Sequence, residues 1–577
     1  MLFDSLMLRA VCAQLSDTIV GSSVQRVFQT GRLEFVLEFS GRGERRQLAI
    51  NCTTDFGRMH LAEDFEPDPT VNFPAGAVLQ RYLYHSVLAD VQQREFDRVV
   101  RLEFANARGM GPNARCFVIA EIMGRHSNLI ITDNASEIIE AAKHVPAAVN
   151  RYRQIQPGLQ YVPPPDFDKL DPQAVDVSTL AASASEDSSY TRNWFRSTLQ
   201  GASDIFRDEA LARAEIDPQR PADELDDGNL TGLVEALSGL ITDASGGRGW
   251  IYECPETRFA YPVSLQCRPD CRSESAADIS AAIDRVAREQ ICSIERQQIR
   301  NRLQQAAGDA YELAGKRVRE RREALKRGQD AEKLRIMGET LLANLHEVPA
   351  HADSVTLPNI YDPDETLTIE LDPEVSPQDN AQKYFKRYKK LSGLGERIKP
   401  RLAAAKVEQH YLSGLLGQIE QAETVQDLRS IEQEMQQEGH LKKPGEKKEA
   451  ADEGVTVHSA PLEDNRTLLW GKSGLQNDEL LRRANPEDIW LHVKDAPGGH
   501  VLIRTDGRPD DVPEEQLRRA AAHAAWLSKQ RADTATEVDY TTAKHVRRLK
   551  GTPPGYVHYT HQKTLRVQPR PISAGSG

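Results

Sequence analysis

The sequence predicts a multidomain α+β protein, with a β-rich N-terminal domain, a helix-hairpin-helix, a long antiparallel coiled-coil arm and a C-terminal α/β domain. Three observations predict this class. Residues 1–165 alternate strand patterns with turns, two long charged helical segments follow residue 278, and strand patterns return after residue 457. A chain of 577 residues is long enough for three to five domains.

The domain boundaries follow these changes of pattern. The N-terminal domain spans 1–170, and residues 246–277 are candidates for a further part of it. A helix-hairpin-helix region spans 171–245, and the coiled-coil arm spans 278–438 with a small tip insertion at 347–378. A linker at 439–456 leads to the C-terminal domain at 457–570. The linker is assigned because it is poor in apolar residues.

The N-terminal domain opens with MLFDSLMLRAVCAQL, which predicts a short amphipathic helix that starts at Asp4. Residues 23–39 then predict a hairpin around Thr30-Gly31, and residues 115–133 predict two strands that are broken at Gly124. The segment YVPPP at 161–165 closes the unit.

The segment REFDRVVRLEF at 94–104 predicts a strand with a charged residue on its apolar face. Alternation places Arg98 on the face of Phe96, Val100, Leu102 and Phe104, and Asp97 on the opposite face. Residues 105–114 predict a wide turn, so this strand should pair with 115–123.

If Phe104 lies opposite Arg115, then Arg98 lies opposite Glu121, and cross-strand charges of opposite sign attract; a register shifted by two residues is the alternative. This pair either only completes the sheet or forms part of a binding site. In the second case Asp97 accepts from RNA base edges or ribose hydroxyls, and Arg98 stacks on or hydrogen-bonds to an unstacked base. Arg125 and His126 add positive donors nearby.

Helical patterns dominate the middle of the chain. Residues 199–214 predict a glycine-containing turn and a helix, which is either a helix-hairpin-helix whose turn amides hold a phosphate or an ordinary helical turn. Later apolar residues follow a heptad spacing at Tyr384, Tyr388, Leu391, Leu394, Ile398, Leu402, Ala405, Leu412, Leu416 and Ile419. We predict an antiparallel coiled-coil arm, with an ordinary helical bundle as the alternative, and Pro400 should kink or divide the second helix.

The connector between the two long helices contains a short strand, LTIEL, and a helix that opens near Ser376-Pro377. In the C-terminal domain DIWLHVKD and HVLIR predict strands, 513–530 predict a helix, and GYVHYT with TLRVQP predict a closing hairpin. The turn APGG brings Lys494, His492 and His500 near exposed backbone amides. These residues either contact a phosphate or belong to a structural turn.

The net charge of −13 argues against a general nucleic-acid coat, but two regions are basic. Residues 296–327 contain ten Lys or Arg against four Asp or Glu, and residues 539–570 contain seven against one. We predict polyanion contacts there, and in the first region at Arg317, Arg319, Arg321 and Arg322. Solvated helix faces are the alternative.

The seven cysteines are scattered and odd in number, which predicts reduced thiols and a cytoplasmic location. The spacing of Cys254, Cys267 and Cys271 fits no common zinc pattern. The N-terminal helix lacks the features of a signal peptide, and no apolar run approaches a membrane span. P-loop, nucleophile-elbow, HExxH and Rossmann patterns are also missing, so we expect no catalytic residues, no cofactor, no metal and no enzyme activity.

Several segments in this order resemble one protein family: FDSLMLRAV, FDRVVRLEF, EIMGRHSNLIITD, SPQDNAQKYFKRYKKL and DIWLHVKDAPGGHVLI. They are similar to the NFACT family, whose bacterial members have also been called fibronectin-binding protein A-like, over nearly the whole chain. The resemblance implies an NFACT-N domain, a helix-hairpin-helix, a coiled-coil arm and an NFACT-R domain.

The resemblance further implies ribosome-associated quality control. Members of the family bind a large ribosomal subunit obstructed by peptidyl-tRNA and recruit charged tRNA for untemplated C-terminal tailing, with alanine in bacteria. Tailing marks the nascent chain for degradation. Matching the family's motifs implies tRNA-binding roles for Asp4, Asp97, Arg98, Glu121, Ile122, Met123, Arg125 and His126.

The NFACT-N domain is also similar in fold to the formamidopyrimidine-DNA glycosylases, which use an N-terminal Pro-Glu pair. Here Leu2 and Phe3 stand in those positions and no four-cysteine zinc finger follows, so we expect no base excision and no DNA partner. A glycosylase-like enzyme and a fibronectin-binding surface adhesin are the alternative functions. The adhesin would need an export signal, which the sequence does not display.

Overall fold

The computed structural model describes residues 2–41, 43–63, 73–105, 115–165, 168–442, 455–549 and 551–572. The chain divides into two compact units, residues 1–291 and 292–577. The turn predicted at 105–114 and the linker predicted at 439–456 lie for the most part outside the described residues. Among the described residues, no helix is both long and apolar enough to cross a membrane.

The first unit is built on an antiparallel sheet whose order is β4-β3-β2-β1-β5-β6-β7-β8-β9. Its strands are β1 Ser23–Gly31, β2 Glu34–Gly41, β3 Glu44–Asn51, β4 Arg58–Ala62, β5 Val87–Gln93, β6 Val99–Ala105, β7 Arg115–Glu121, β8 Asn128–Asp133 and β9 Ile138–Ala141. The predicted β1–β2 hairpin is confirmed. The predicted break at Gly124 is also confirmed, because a short 3-10 turn at Gly124–His126 separates β7 from β8.

Helices and a small second sheet complete this unit. They are α1 Ser5–Thr18, α2 Pro74–Leu83, α3 Val177–Ser185, α4 Thr191–Thr198, α5 Asp204–Arg213, α6 Asp227–Ser245, and β10 Gly249–Glu253, β11 Arg258–Tyr261 and β12 Arg272–Ala276 in the order β11-β10-β12. Side chains from α1, the large sheet, α5, α6 and β10 share one apolar cluster. Burial of this continuous apolar surface is the main force that holds these elements together.

Two cysteines of the small sheet form a disulfide, so the prediction of reduced thiols is wrong for this pair. Cys254 follows β10 and Cys271 precedes β12, with 4.5 Å between their Cα atoms. The reason is the strand pairing, in which Glu253 lies opposite Arg272. A sequence separation of 17 residues gave no sign of this proximity.

The second unit contains the helical arm. Its elements are α7 Ile279–Gln329, which begins in the first unit, α8 Ala331–Ala343, the hairpin strands β13 Ser354–Asn359 and β14 Asp362–Glu370, and α9 Pro377–Leu391, α10 Leu394–Gln421 and α11 Val425–Gln437. The predicted helix start is confirmed, since Ser376 caps α9 and Pro377 occupies its first position. The predicted strand LTIEL lies largely in β14.

Helices α7 and α10 run antiparallel. Arg317 pairs with Glu408 at 3.1 Å, and Arg321 donates to the carbonyl of Arg401 at 2.7 Å. The residue numbers of the contacting partners therefore fall along α10 as they rise along α7. Leu402, Ala405, Leu412 and Ile419 of the predicted seam are buried. The predicted division at Pro400 is wrong, because the chain breaks at 392–393 and Pro400 lies inside α10.

The C-terminal domain is a six-stranded sheet in the order β15-β16-β18-β17-β19-β22, with two helices and a separate hairpin. The elements are β15 His458–Pro461, β16 Thr467–Trp470, α12 Gly474–Arg483, β17 Ile489–Val493, β18 Val501–Ile503, α13 Glu514–Trp526, β19 Thr536–Thr542, β20 Val546–Arg548, β21 Val557–Tyr559 and β22 Lys563–Val567. The predicted closing hairpin is wrong, because β21 pairs with β20 and β22 pairs with β19. The sequence predicted these segments as strands, but the pairing of the strands depends on contacts between residues that are distant in sequence.

Candidate nucleic-acid interface

The Asp97-Arg98 pair lies in a turn rather than in a strand. β5 ends at Gln93 and β6 begins at Val99, so the predicted strand start at residue 94 is wrong. Within the turn Asp97 donates its backbone N–H to the carbonyl of Arg94 at 3.0 Å. Strand alternation does not apply to these residues, and Asp97 and Arg98 line the same cavity.

The predicted Arg98–Glu121 ion pair is wrong. Val99, and not Arg98, lies opposite Glu121 in the β6–β7 ladder. The register differs by one residue from the expected one, which turns every cross-strand partner to the other face. Only the backbone of Arg98 joins this ladder, where its carbonyl accepts from Ile122 N at 2.9 Å.

Glu121 instead pairs with residues that the sequence argument did not consider. Its carboxylate is fully buried, forms an ion pair with Arg153 and accepts from the Tyr161 hydroxyl at 2.8 Å. Burial raises the pKa of Glu121, while the charge of Arg153 opposes this rise. Because a buried carboxylate with two partners is a structural group, we expect Glu121 to position the neighbouring 122–126 segment.

A cavity of about 260 Å³ brings together the first helix, the 94–98 turn and the segment between α4 and α5. Its walls carry Asp4, Ser5, Asp97, Arg98, Lys169, Arg196, Gln200, Gly201, Ala202 and Ser203. Arg98 and Arg196 are exposed and Asp97 is half-buried. Three cations beside one accessible carboxylate give the cavity the chemistry to bind a phosphate and a hydrogen-bond donor together.

Asp4 holds the elements around this cavity. Its carboxylate caps α1 by accepting from Met7 N at 2.9 Å, and it also accepts from Ser203 Oγ at 2.6 Å and Tyr261 Oη at 3.0 Å. Asp4 is 5% exposed, and burial raises its pKa while these hydrogen bonds and the charge of Arg98 oppose the rise. Asp4 therefore connects α1, α5 and β11 at the floor of the cavity.

Gly201 fits closely between the same elements. Its φ is +67°, and an added Cβ would lie 2.2 Å from the carbonyl oxygen of Phe96 and 2.6 Å from Ser5 Oγ. A side chain is excluded both by backbone conformation and by space. The α4–α5 turn can therefore contact the 94–98 turn directly only because residue 201 is glycine.

Four predicted site residues follow β7. Ile122 is 2% exposed and belongs to the core, and Met123 is half-buried. Arg125 and His126 are exposed, with Arg125 Nε 3.0 Å from His126 Nε2. The accessible members of this segment are therefore Arg125 and His126, while Ile122 can act only by supporting their position.

The predicted phosphate contacts of the second unit differ in accessibility. Arg319 and Arg322 are exposed on α7, whereas Arg317 and Arg321 are half-buried in contacts with α10. Lys494 pairs with Glu537 at 3.1 Å. His500 is 1% exposed and burial lowers its pKa well below the usual value, so its ring carries no charge for a phosphate at neutral pH.

Sequence reasoning missed Lys169, Arg196 and Ser203, which line the first cavity, and Tyr261, which donates to Asp4. The sequence could have predicted Ser203 as a helix cap, because it directly precedes a helical pattern. In the structure Ser203 caps α5 by accepting from Phe206 N at 3.0 Å. Lys169 donates to the carbonyl of Arg196 at 2.7 Å. Neither basic residue belongs to a sequence motif, and only the fold brings them beside Asp97.

Two family models match this chain. The model described as NFACT N-terminal and middle domains matches residues 4–453, and the model described as NFACT protein RNA binding domain matches residues 457–560. The chain is 30% identical to the Rqc2 homolog RqcH of Streptococcus suis, with 99% of this chain and 98% of the relative covered. It is 27% identical to the protein of the same name from Bacillus subtilis, with the same coverage.

Solved structures resemble parts of the chain. The C-terminal part of a fibronectin/fibrinogen-binding protein from Streptococcus suis aligns with a TM-score of 0.38 and 28% identity, covering 48% of this chain and 96% of that one. MutM (Fpg) from Thermus thermophilus aligns with a TM-score of 0.22 and 13% identity, covering 42% and 76%. These scores are too low to support an argument about fold or function.

Proposed function

Since this chain belongs to the NFACT family, we propose that it is a ribosome quality control factor of the RqcH kind. It binds large ribosomal subunits that are obstructed by peptidyl-tRNA, and it acts in the cytoplasm. The match to relatives named Rqc2 homolog RqcH over 99% of the chain supports this proposal. A domain that matches a family RNA-binding model supports RNA as the partner.

The finer proposal is that the chain recruits tRNA, alanyl-tRNA above all, for untemplated C-terminal alanine tailing of the stalled nascent chain. The observation that carries it is the cavity of about 260 Å³, where Asp97 and Arg98 meet Lys169 and Arg196. The carboxylate suits a base edge or ribose hydroxyl, and the cations suit the tRNA backbone.

The chain positions RNA, and the ribosome performs peptidyl transfer. The burial of Asp4 and its three hydrogen bonds support a holding role for this acid rather than a role in proton transfer. Leu2 and Phe3 occupy the positions of the glycosylase Pro-Glu pair, which argues against base excision. We also propose that the fold of the first unit is similar to that of the formamidopyrimidine-DNA glycosylases.

The double substitution Asp97→Ala with Arg98→Ala tests the tRNA site. We expect tRNA binding to weaken by at least about tenfold and tailing to cease, because two side chains of the cavity are lost. Binding to large subunits should be unchanged. The readouts are filter binding of tRNA, co-sedimentation with obstructed large subunits, and gel shifts of a stalled nascent chain.

The matched control removes another Asp and Arg. Arg508 and Asp511 form an exposed ion pair in the second unit, and Arg508→Ala with Asp511→Ala should leave all three readouts unchanged. Wild-type tailing by the Asp97/Arg98 variant would defeat the assignment of the site. Binding of the wild-type chain to immobilised fibronectin, without binding to ribosomal subunits, would favour the adhesin alternative.

A further inference from the structure

The second unit contains a cavity of about 380 Å³ that the proposed tRNA site does not use. One wall comes from α10 and α11 and includes His410 and Gln418, and the opposite wall includes His492, His500 and Tyr556. The cavity thus lies between the base of the arm and the C-terminal sheet. Its volume is sufficient for a planar ring system with its substituents.

The rings of His492, His500, Tyr556 and Tyr559 line this cavity, and Trp490, which is buried outside the lining, packs against three of them. Trp490 stacks on His492 with 5.7 Å between ring centroids and lies edge-on to His500 at 5.2 Å. Tyr559 packs against the same tryptophan at 4.9 Å. Rings that hold one another in place offer a rigid surface on which a planar ligand can stack at low entropic cost.

Polar atoms in the walls have unused hydrogen-bonding capacity. His500 Nδ1 and Gln418 Oε1 are buried, and neither has a hydrogen-bond partner among the described residues. His500 is 1% exposed, and its backbone N–H donates to Asn477 Oδ1 at 3.0 Å. Buried polar atoms are normally paired, so a ligand with complementary groups would satisfy these two atoms.

The histidines of the walls are uncharged, and the acids that line the cavity are Glu434 and Asp495. Burial lowers the pKa of His492 to about 4 and lowers the pKa of His500 well below its usual value. Both imidazoles are therefore neutral at pH 7 and do not attract a phosphate. A neutral ring with donor and acceptor edges fits this environment better than an anion does.

Basic side chains lie on the β20–β21 hairpin, which forms one rim of the cavity. The segment 554–559 lines the cavity and contains β21, which pairs with β20 so that Arg547 lies opposite His558. Arg547 and His558 are exposed, and Arg548 is exposed and pairs with Asp478 at 2.8 Å. Phosphates along the β20–β21 hairpin would place an attached base near the cavity.

We propose that this cavity holds one unstacked nucleobase of a bound single-stranded RNA, while the β20–β21 hairpin contacts the flanking phosphates. The inference rests on the RNA binding of the proposed function and adds to it a single-base site. Proteins commonly bind unpaired bases by stacking them on aromatic side chains and reading their polar edges.

The test uses the full chain and a single-stranded octaribonucleotide that carries 2-aminopurine, whose fluorescence is quenched by stacking. We expect quenching with the wild-type chain, and about 5- to 100-fold weaker binding after Tyr556→Ala, with a smaller loss after Gln418→Ala. The matched controls are Tyr361→Ala, in the β13–β14 turn, and Gln562→Ala, outside the cavity; both should bind as wild type.

Salt dependence separates base contacts from phosphate contacts. Loss of a base contact should leave the slope of log K against log salt unchanged, whereas Arg547→Ala should reduce it by about 0.7 for one phosphate. Normal affinity and quenching in both cavity variants would overturn the proposal. So would equal binding of a fully paired duplex, whose bases are not free to enter the cavity.

The two proposals can fail separately. If both cavity variants behave as wild type while the chain still binds tRNA and obstructed subunits, only the base site is wrong. If quenching depends on Tyr556 but the chain binds neither tRNA nor subunits, the base site stands and the ribosomal function is wrong.

Discussion

At the scale of single residues, buried acids determine the geometry of the candidate tRNA site. Asp4 joins three elements through its carboxylate, and Glu121 holds Arg153 and Tyr161. Asp4 lies at the floor of the cavity that contains Asp97 and Arg98, Glu121 lies beside the 122–126 segment, and neither acid is accessible. The motif residues around this cavity thus divide into those that can contact RNA and those that position them.

Gly201 offers a test of this division. We expect Gly201→Ala to lower the free energy of unfolding by about 2 kcal/mol or more, because a positive φ and a close carbonyl both oppose a Cβ. It should also weaken tRNA binding by about tenfold, since the 94–98 turn must move. Urea unfolding and filter binding measure the two effects.

Gly158→Ala is the control for the backbone cost alone. Gly158 has a φ of +83°, and an added Cβ would meet nothing within 4 Å. It should therefore share the conformational penalty but retain tRNA binding. Equal effects of the two substitutions on binding would show that close packing at Gly201 does not shape the site.

At the scale of elements, one buried carboxylate connects α11 to the start of α12. Glu434 is fully buried, accepts from Tyr411 Oη at 3.0 Å and from Leu475 N at 3.1 Å, and lies at the N-terminus of α12. A helix N-terminus favours a negative charge, but burial opposes it. Burial prevails and raises the pKa of Glu434 to about 7.

This raised pKa predicts a pH dependence. Because the folded state binds the proton more tightly than the unfolded state, the contribution of Glu434 to stability is present below pH 4.5 and is lost as the pH rises through about 7. Relative to Glu434→Gln, the wild type should lose about 3 kcal/mol over this range. Urea unfolding followed by tryptophan fluorescence at pH 4.5 and 7.5 measures the difference.

Other titrating groups are common to both chains and cancel in this comparison. An equal change of unfolding free energy in wild type and variant would mean that folding does not shift the pKa of Glu434 from its usual value of 4.5. A wild type that gains stability relative to the variant as the pH rises would show that the helix N-terminus outweighs burial.

Elements were easier to predict than their partners. The start of α9 at Ser376-Pro377 followed from local chemistry, and the antiparallel course of the arm followed from the connector between its two long helices. The one-residue register of β6 and β7 did not, because the 94–98 turn removes Asp97 and Arg98 from the ladder. The pairing of β22 with β19 could not be predicted either, because it depends on contacts that exist only in the assembled sheet.

At the scale of the whole molecule, candidate RNA-binding groups lie in both units despite a net charge of −13. The first unit has the Asp97-Arg98 cavity, and the second has the exposed Arg319 and Arg322 and the β20–β21 hairpin. The sequence indicated the basic regions and Asp97-Arg98, but not Lys169 and Arg196. Local cationic surfaces on an acidic chain favour chosen RNA partners over general coating of nucleic acid.

The most direct test of the central claim is crosslinking of the chain to RNA in cells, followed by sequencing of the bound RNA. We expect joint enrichment of large-subunit ribosomal RNA and one tRNA class, tRNA-Ala first. In the Asp97→Ala, Arg98→Ala variant the tRNA should disappear while the ribosomal RNA remains. Recovery of neither RNA with the wild-type chain, or equal recovery of tRNA with the variant, would contradict the account.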